Sequence, residues 1–390
     1  MTPAARVQAA IEVLDHINEC TPAEKALTTW ARGARYAGSG DRAAVRDHVF
    51  QALRCRRSYA ALGGGTDGRA LLRGALIEAG VAPETVFTGE RHAPAVLDDA
   101  ELMQGRVPEV GAEQADLPDW LWDRFESAFG SSEAMRSAQV LRQRAPVTLR
   151  VNAGLSNVSQ AIEILNEDGV AVTRISQCDT ALIVAEGARR VAGSRAYREG
   201  HVELQDASSQ AAMAALDIAP GARVLDYCAG GGGKTLALAA RVDATWFAHD
   251  ANFTRMKDLP DRAHRAGIQV TCLDSDAITT AAPFDLVLCD APCSGSGTWR
   301  RAPEAKWRLT PERLEELRAT QLTILENAEQ HVAPGGQLVY ATCSILLAEN
   351  DRQVAEFLSR HSAWTLTKQM SWPVTEEGDG FFLACLTKAG

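Results

Sequence analysis

Two cysteines occupy separate loops, Cys293 in Asp290-Ala291-Pro292-Cys293-Ser294-Gly295 and Cys343 in Ala341-Thr342-Cys343-Ser344. Each follows a short apolar run, Phe284 to Cys289 and Gln337 to Tyr340, that reads as a buried parallel strand. In an open α/β sheet the carboxyl ends of neighbouring strands border one crevice, so two thiols there face a common substrate. A thiolate attacks an electron-poor carbon, and a second thiol beside it moves a proton. Taken singly, either cysteine is a small core residue, the usual fate of a free thiol. The residues around them make the pair a candidate site.

A second motif runs Val224-Leu225-Asp226-Tyr227-Cys228-Ala229-Gly230-Gly231-Gly232-Gly233-Lys234-Thr235, a strand, a glycine-rich turn and a helix start. Glycines let the backbone approach a ligand closely. The Gly-Lys-Thr ending invites a triphosphate-loop reading, but that motif needs a glycine where Cys228 stands. A nicotinamide dinucleotide fingerprint fails as well, because Thr235 takes the place of its third glycine. Asp250 ends the next apolar run, where an acid can take a ribose hydroxyl pair, and Asp274 and Asp276 follow the third. Successive strand-end acids after a glycine loop favour a nucleoside ligand, although such acids also serve as helix caps. His249, Tyr340, Cys272 and Cys289 read as packing residues.

The elements that position these residues follow from periodicity. Strands are expected at about 222–226, 245–249, 269–273, 285–290 and 337–341, with helices between them and a long one over Pro311 to Gln330. Strands alternating with helices indicate a doubly wound, mostly parallel sheet. Upstream, Thr148–Asn152, Ala171–Ile175 and Ala181–Val184 are strand-like and Val158–Leu165 is a helix pattern, together a small α+β module. Residues before about 125 read as an all-helical domain broken at Gly63-Gly64-Gly65 and near Pro83, Pro94 and Pro108. The expected division is 1–125, 126–204 and 205–390.

The chain has 390 residues, 46% hydrophobic and 23% charged, with a net charge of −10. That charge argues against coating nucleic acid by bulk electrostatics but leaves room for a local basic cleft. Arg54-Cys55-Arg56-Arg57 and Trp299-Arg300-Arg301 with Lys306 are the candidates, each also readable as a solvated helix face. Trp299 and Trp307 are expected either to stack on bases or to anchor their loop. The nine cysteines show no C-x-x-C pair, so neither a metal site nor a disulfide framework is expected. With no apolar leader and no membrane-length run, a reducing cytoplasmic setting is expected.

Together these motifs resemble the Sun/Fmu (RsmB-like) family of S-adenosylmethionine-dependent RNA cytosine-5 methyltransferases. The resemblance rests on Gln205 to Gln210, Asp226-x-Cys228-Ala229 with Gly232-Gly233-Lys234-Thr235, Asp290 to Gly295, Thr342-Cys343-Ser344, Pro303 with Lys306-Trp307, and Pro334-Gly335-Gly336. It implies a Rossmann-like class I methyltransferase domain with a helical NusB-like RNA-binding domain and a small RNA-recognition-like module. It also implies an RNA partner, small-subunit rRNA or tRNA, while a ribosome-assembly protein without turnover is the non-enzymatic alternative. Nothing asks for an oligomer. By the family's pattern Cys343 is the nucleophile, Cys293 assists proton removal and release, Asp290 holds the base, and Lys234 lies near that edge or lowers a thiol pKa. Asp226, Cys228, Ala229, Gly230, Gly231, Gly232, Gly233, Lys234, Asp250, Asp274, Asp276 and Asp290 would line the cofactor, and Arg300, Arg301 and Lys306 would meet RNA. The family usually has Ala-Pro where this chain has Gly230-Gly231, a change expected to weaken cofactor binding because a looser loop loses more entropy on ordering.

Overall fold

The computed structural model describes residues 1–389, and the chain divides into two compact units. The first, Met1–Arg144 with Trp299–Arg308, is helical. Its main helices are Pro3–Asn18, Ala23–Gly33, Ser39–Arg54, Arg56–Gly63, Gly68–Glu78, Asp119–Phe129 and Ser131–Leu141. Val7, Ile11, Leu14, Val45, Val49 and Leu53, the residues at helical spacing, are buried in its core. Gly64 ends the fourth of these helices in the left-handed region at φ 72°, as a glycine after a helix does.

The helical unit reaches Arg144 rather than stopping near 125. Ala134, Ala138 and Leu141 of the Ser131–Leu141 helix are buried, and Arg142 pairs with buried Asp116 at 2.7 Å and with Glu78. The segment Trp299–Arg308 also belongs to this unit. Trp299 stacks on Phe125 at 6.2 Å, Lys306 Nζ donates to Arg54 O at 2.7 Å, and Trp307 Nε1 donates to Leu53 O at 2.7 Å.

The second unit, Ala145–Thr298 with the chain from Leu309 onward, holds two sheets. The small one consists of β1 (Thr148–Val151), β2 (Ala171–Arg174), β3 (Ala181–Glu186) and β4 (Val202–Leu204), antiparallel in the order β2-β3-β1-β4, with the Val158–Glu167 helix packed on it. The large sheet contains β5 (Arg223–Asp226), β6 (Thr245–His249), β7 (Val270–Leu273), β8 (Phe284–Asp290), β9 (Val332–Thr342), β10 (Trp364–Trp372) and β11 (Phe381–Lys388). Their order is β10-β11-β9-β8-β5-β6-β7. Strands β5 to β9 are parallel, while β11 runs antiparallel to β9 and β10 antiparallel to β11. This is the Rossmann-like, doubly wound sheet that the alternation of strands and helices predicts. The terminal β10–β11 pair was not among the expected strands.

The parallel strands form because Leu225, Val287, Leu288, Leu338 and Val339 are buried, each contributing about 1.5–3 kcal/mol of transfer free energy. The strand order reverses at β5, which has β6 on one side and β8 on the other. At such a switch point the loops after β5 and β8 diverge and leave a crevice at the carboxyl ends. Asp226, Asp290 and Thr342 are the last residues of β5, β8 and β9.

Candidate active site

The carboxyl ends of β8 and β9 bring the two cysteines together, with Cys293 Sγ 3.4 Å from Cys343 Sγ. The thiols share a proton unequally. The hydrogen bond with Cys293 lowers the Cys343 pKa against burial and the charge of Asp290, which raise it, and the Lys234 ammonium offsets part of that rise. The same bond, then burial and the charge on Cys343, push Cys293 well above the ordinary thiol range. The pair is thus polarised, with Cys343 the more acidic thiol and Cys293 the less acidic one.

Beside them Lys234 Nζ donates to Asp290 Oδ2 at 2.5 Å and lies 5.2 Å from the centre of the Phe381 ring. Burial works against the Lys234 charge, but Asp290 more than offsets it and leaves the pKa above the usual value. The ammonium is thus held charged next to the thiols.

The loop after β5 turns at Gly230 and Gly232, both in the left-handed region at φ 50° and 77°. A Cβ on Gly232 would meet Leu259 Cδ1 at 2.1 Å, so only glycine lets this turn pack against the Leu259–Arg265 helix. Polar groups hold the loop from several sides. Gly230 N donates to Asp250 Oδ2 at 3.0 Å, Arg150 Nη1 to Gly233 O at 2.8 Å, and Arg262 Nη1 to Gly231 O. Arg262 in turn pairs with Glu203 of the small module at 2.8 Å. The small α+β module therefore buttresses the glycine loop.

Asp226 is 2% exposed and accepts from Thr235 Oγ1 at 2.7 Å through Oδ2, while its Oδ1 is buried without a partner. Burial pushes its pKa up to about 6, and nearby Asp290 adds to the effect. Burial also raises Cys228, with the charges of Asp226, Asp290 and Asp250 adding to it. His249 is a packing residue, its ring nitrogens 2.8 Å from Tyr227 O and 3.1 Å from Ser275 Oγ. Asp274 caps the Ser275–Ala281 helix by accepting from Ala277 N at 2.9 Å, and both Asp274 and Asp276 are exposed.

Two comparisons of sequence identify the relatives of this arrangement. A family model described as 16S rRNA methyltransferase RsmB/F matches residues 213–387, and one for the RsmF/B-like ferredoxin-like domain matches residues 117–191. The ribosomal RNA small subunit methyltransferase B of Klebsiella pneumoniae is 36% identical over 285 residues, covering 70% of this chain and 66% of that protein. Its namesake from Erwinia tasmaniensis is 34% identical over 302 residues, covering 74% and 70%. The chain belongs to the RsmB/F family. It spans about two thirds of the length of these relatives. Among solved structures, the crystal structure of PH0851 matches with a TM-score of 0.75 and 28% identity over 100% of this chain and 99% of its own. A methyltransferase homolog from Pyrococcus horikoshii matches with a TM-score of 0.61 and 25% identity over 71% and 97%.

S-adenosylmethionine is the cofactor of the RsmB/F family, and the residues here fit it. A glycine turn permits close backbone approach, and the orphaned Asp226 Oδ1 supplies an unused acceptor beside it. Among the described residues no group of three or more His, Cys, Asp or Glu side chains stands where it would hold a metal ion, and no helix is long and apolar enough to cross a membrane.

The structure gathers Cys293, Cys343, Asp290, Lys234, Asp226 and the glycine loop at one end of the sheet. Arg300 and Lys306 are each 1% exposed within the helical unit, where Arg54 Nε donates to Arg300 O at 2.8 Å, so they are corrected from surface contacts to buried anchors. Arg301 is exposed. Trp299 and Trp307 likewise anchor their segment. Sequence reasoning missed Glu349. Its signal was a lone acid closing the apolar run Ile345-Leu346-Leu347-Ala348, six residues after Cys343.

Proposed function

We propose that the chain transfers the methyl group of S-adenosylmethionine to carbon 5 of a cytidine in small-subunit rRNA. The observation that carries this reading is the thiol pair 3.4 Å apart beside the Lys234–Asp290 ion pair. Carbon 5 of cytosine is too weak a nucleophile to take a methyl group unaided. The Cys343 thiolate adds to carbon 6, and the electron pair displaced from the 5,6 double bond makes carbon 5 nucleophilic. Asp290 holds the nitrogen edge of the base, and Lys234 offsets the charge that develops on it. When bound, S-adenosylmethionine supplies an electrophilic methyl group on its sulfonium.

Once bonded to carbon 6, Cys343 no longer carries the charge that holds the proton on Cys293. Cys293 therefore releases that proton to water, and its thiolate takes the proton from carbon 5. Those electrons restore the double bond and expel Cys343 from carbon 6. A base stacked in a helix is out of reach, so the target is single-stranded or flipped out. The names of the relatives support rRNA as the substrate class.

The test is methylation of protein-free small-subunit rRNA and of tRNA, followed by mapping of the product. Cys343→Ala is expected to abolish turnover, and Cys293→Ala to accumulate a covalent protein–RNA adduct that migrates slowly on denaturing gels. Free turnover by Cys293→Ala, with no adduct, would remove the two-thiol assignment.

A further inference from the structure

Glu349 lies between β9 and the Asp351–Arg360 helix and is 0% exposed. Its Oε1 accepts from Ser294 N at 2.7 Å and Gln321 Nε2 at 3.0 Å, and its Oε2 accepts from Ser294 Oγ and Ser344 Oγ, both at 2.5 Å. Ser294 follows Cys293 in the chain and Ser344 follows Cys343. One carboxylate thus holds the residues next to both thiols.

The surrounding bonds tighten the same junction. Gln321 Nε2 also donates to Pro292 O at 3.0 Å, on the other side of Cys293. Thr342 Oγ1 donates to Asn350 Oδ1 at 2.6 Å and Asn350 Nδ2 to Ser344 O at 2.9 Å, bracketing Cys343. Tyr340 OH donates to Glu349 O at 2.7 Å and fixes the carboxylate's own backbone. Ser296 Oγ, 2.9 Å from Ser344 Oγ, joins the two loops a second time.

A buried carboxylate surrounded by neutral donors is costly to desolvate. It is retained where a satisfied polar network specifies one geometry that apolar packing would leave loose. The Cys293 and Cys343 loops leave different strands, β8 and β9, and strand pairing alone does not fix how far apart their tips lie.

We propose that Glu349 is the positioning residue of the thiol pair, gripping Ser294 and Ser344 in one carboxylate and so setting the separation of Cys293 from Cys343. The inference rests on the two-thiol reading above. Glu349 touches neither sulfur, and it acts through reach: its side chain is long enough to meet both loops at once.

The test compares Glu349→Ala, Glu349→Asp and Glu349→Gln in methylation of a small-subunit rRNA transcript, with S-adenosylmethionine affinity measured by calorimetry. Glu349→Ala is expected to lower kcat on the order of 100-fold, the effect of ångström-scale misplacement of reacting groups. The KM for RNA and the Kd for S-adenosylmethionine should stay unchanged. Glu349→Gln keeps the reach, because its oxygen accepts from Ser294 N while its amide donates to serine hydroxyls that rotate. It should rescue most of the rate. Glu349→Asp keeps the charge but is one methylene short, and it should resemble Glu349→Ala. If Asp rescues and Gln does not, or if Ala keeps full kcat, or if cofactor affinity falls in parallel with rate, the positioning role is wrong.

Should Glu349 variants fail to fold, the double variant Ser294→Ala, Ser344→Ala cuts the grip with the carboxylate in place, and an undiminished kcat there overturns the proposal. Cys343→Ala separates the two levels. Methyl transfer that survives it defeats the two-thiol reading, whereas its loss alongside fully active Glu349 variants defeats the positioning role alone.

Discussion

Cys293 Sγ stands 3.4 Å from Cys343 Sγ although the two residues are 50 positions apart in the chain. Their mutual hydrogen bond lowers the Cys343 pKa and raises that of Cys293, which on the proposed two-thiol reading makes Cys343 the nucleophile. Alkylation with iodoacetamide, followed site by site by mass spectrometry, should modify Cys343 before Cys293. Its rate should titrate with a midpoint below that of an ordinary thiol. Cys293→Ala removes the donor and Lys234→Met removes the cation, so each should move that midpoint upward. Earlier labelling of Cys293 would reverse the assigned polarity.

Asp226 links the glycine loop to pH. Its pKa rises from 3.8 to about 6 on folding because burial disfavours the carboxylate. Between those values the folded protein holds a proton that the unfolded chain has released. Stability is therefore greatest below about pH 4 for this group and falls as pH rises through 6, by about 3 kcal/mol in all. Asp226→Asn mimics the protonated form and should remove this fall. Urea titrations of the cofactor-free protein at pH 5 and pH 8 check it, and an unchanged pH dependence in the variant would assign the effect elsewhere.

Much of this site is legible in the sequence, because buried parallel strands are continuous apolar runs and functional loops follow them. Phe284 to Cys289 and Gln337 to Tyr340 announce β8 and β9, and with them both cysteines. The β11 run from Phe381 to Leu386 is equally apolar, but at the end of the chain no helix follows it to suggest a βα unit. Charge is read less securely. Arg300 and Lys306 have the composition of a basic patch, yet both side chains are buried inside the helical unit. Asp274 has the position of a ligand-binding acid and the local geometry of a helix cap. Glu349 escapes notice because its partners Gln321 and Ser294 lie 28 and 55 residues away. Only the folded sheet brings them together.

Gly230 gives the cofactor loop a test of its own. The residue sits at φ 50°, and its amide donates to Asp250. An alanine there meets no serious clash, its nearest neighbour being Arg255 Nη2 at 3.4 Å, so the penalty is conformational. Left-handed backbone costs a residue with a Cβ about 1–2 kcal/mol. The positive φ at Gly230 reverses the expectation drawn from the family's Ala-Pro: Gly230→Ala should lower the melting temperature of the cofactor-free protein and weaken S-adenosylmethionine binding in calorimetry. Tighter binding would mean that the loop adopts a different turn when it carries alanine.

The segment from Trp299 to Arg308 separates a structural role from an RNA-binding one, because its basic side chains differ in exposure. Lys306 is buried, with its pKa lowered to about 8 by desolvation, and the charge of Asp116 opposes that shift. Its ammonium donates to Arg54 O and lies 4.8 Å from the Trp307 ring centre. Truncating it leaves that carbonyl without its donor, a loss of about 1–3 kcal/mol, so Lys306→Ala should lower the melting temperature. It should leave the salt dependence of RNA binding as it is. Arg301 is exposed, so Arg301→Ala tests the same segment at a side chain that RNA can reach. If Arg301 meets a phosphate, that variant reduces the slope of log affinity against log salt by about 1. Filter binding of an rRNA transcript between low and physiological salt reads the slope. A slope that changes with Lys306→Ala and not with Arg301→Ala would overturn this division of roles, since a side chain enclosed by the helical unit releases no counterions from RNA.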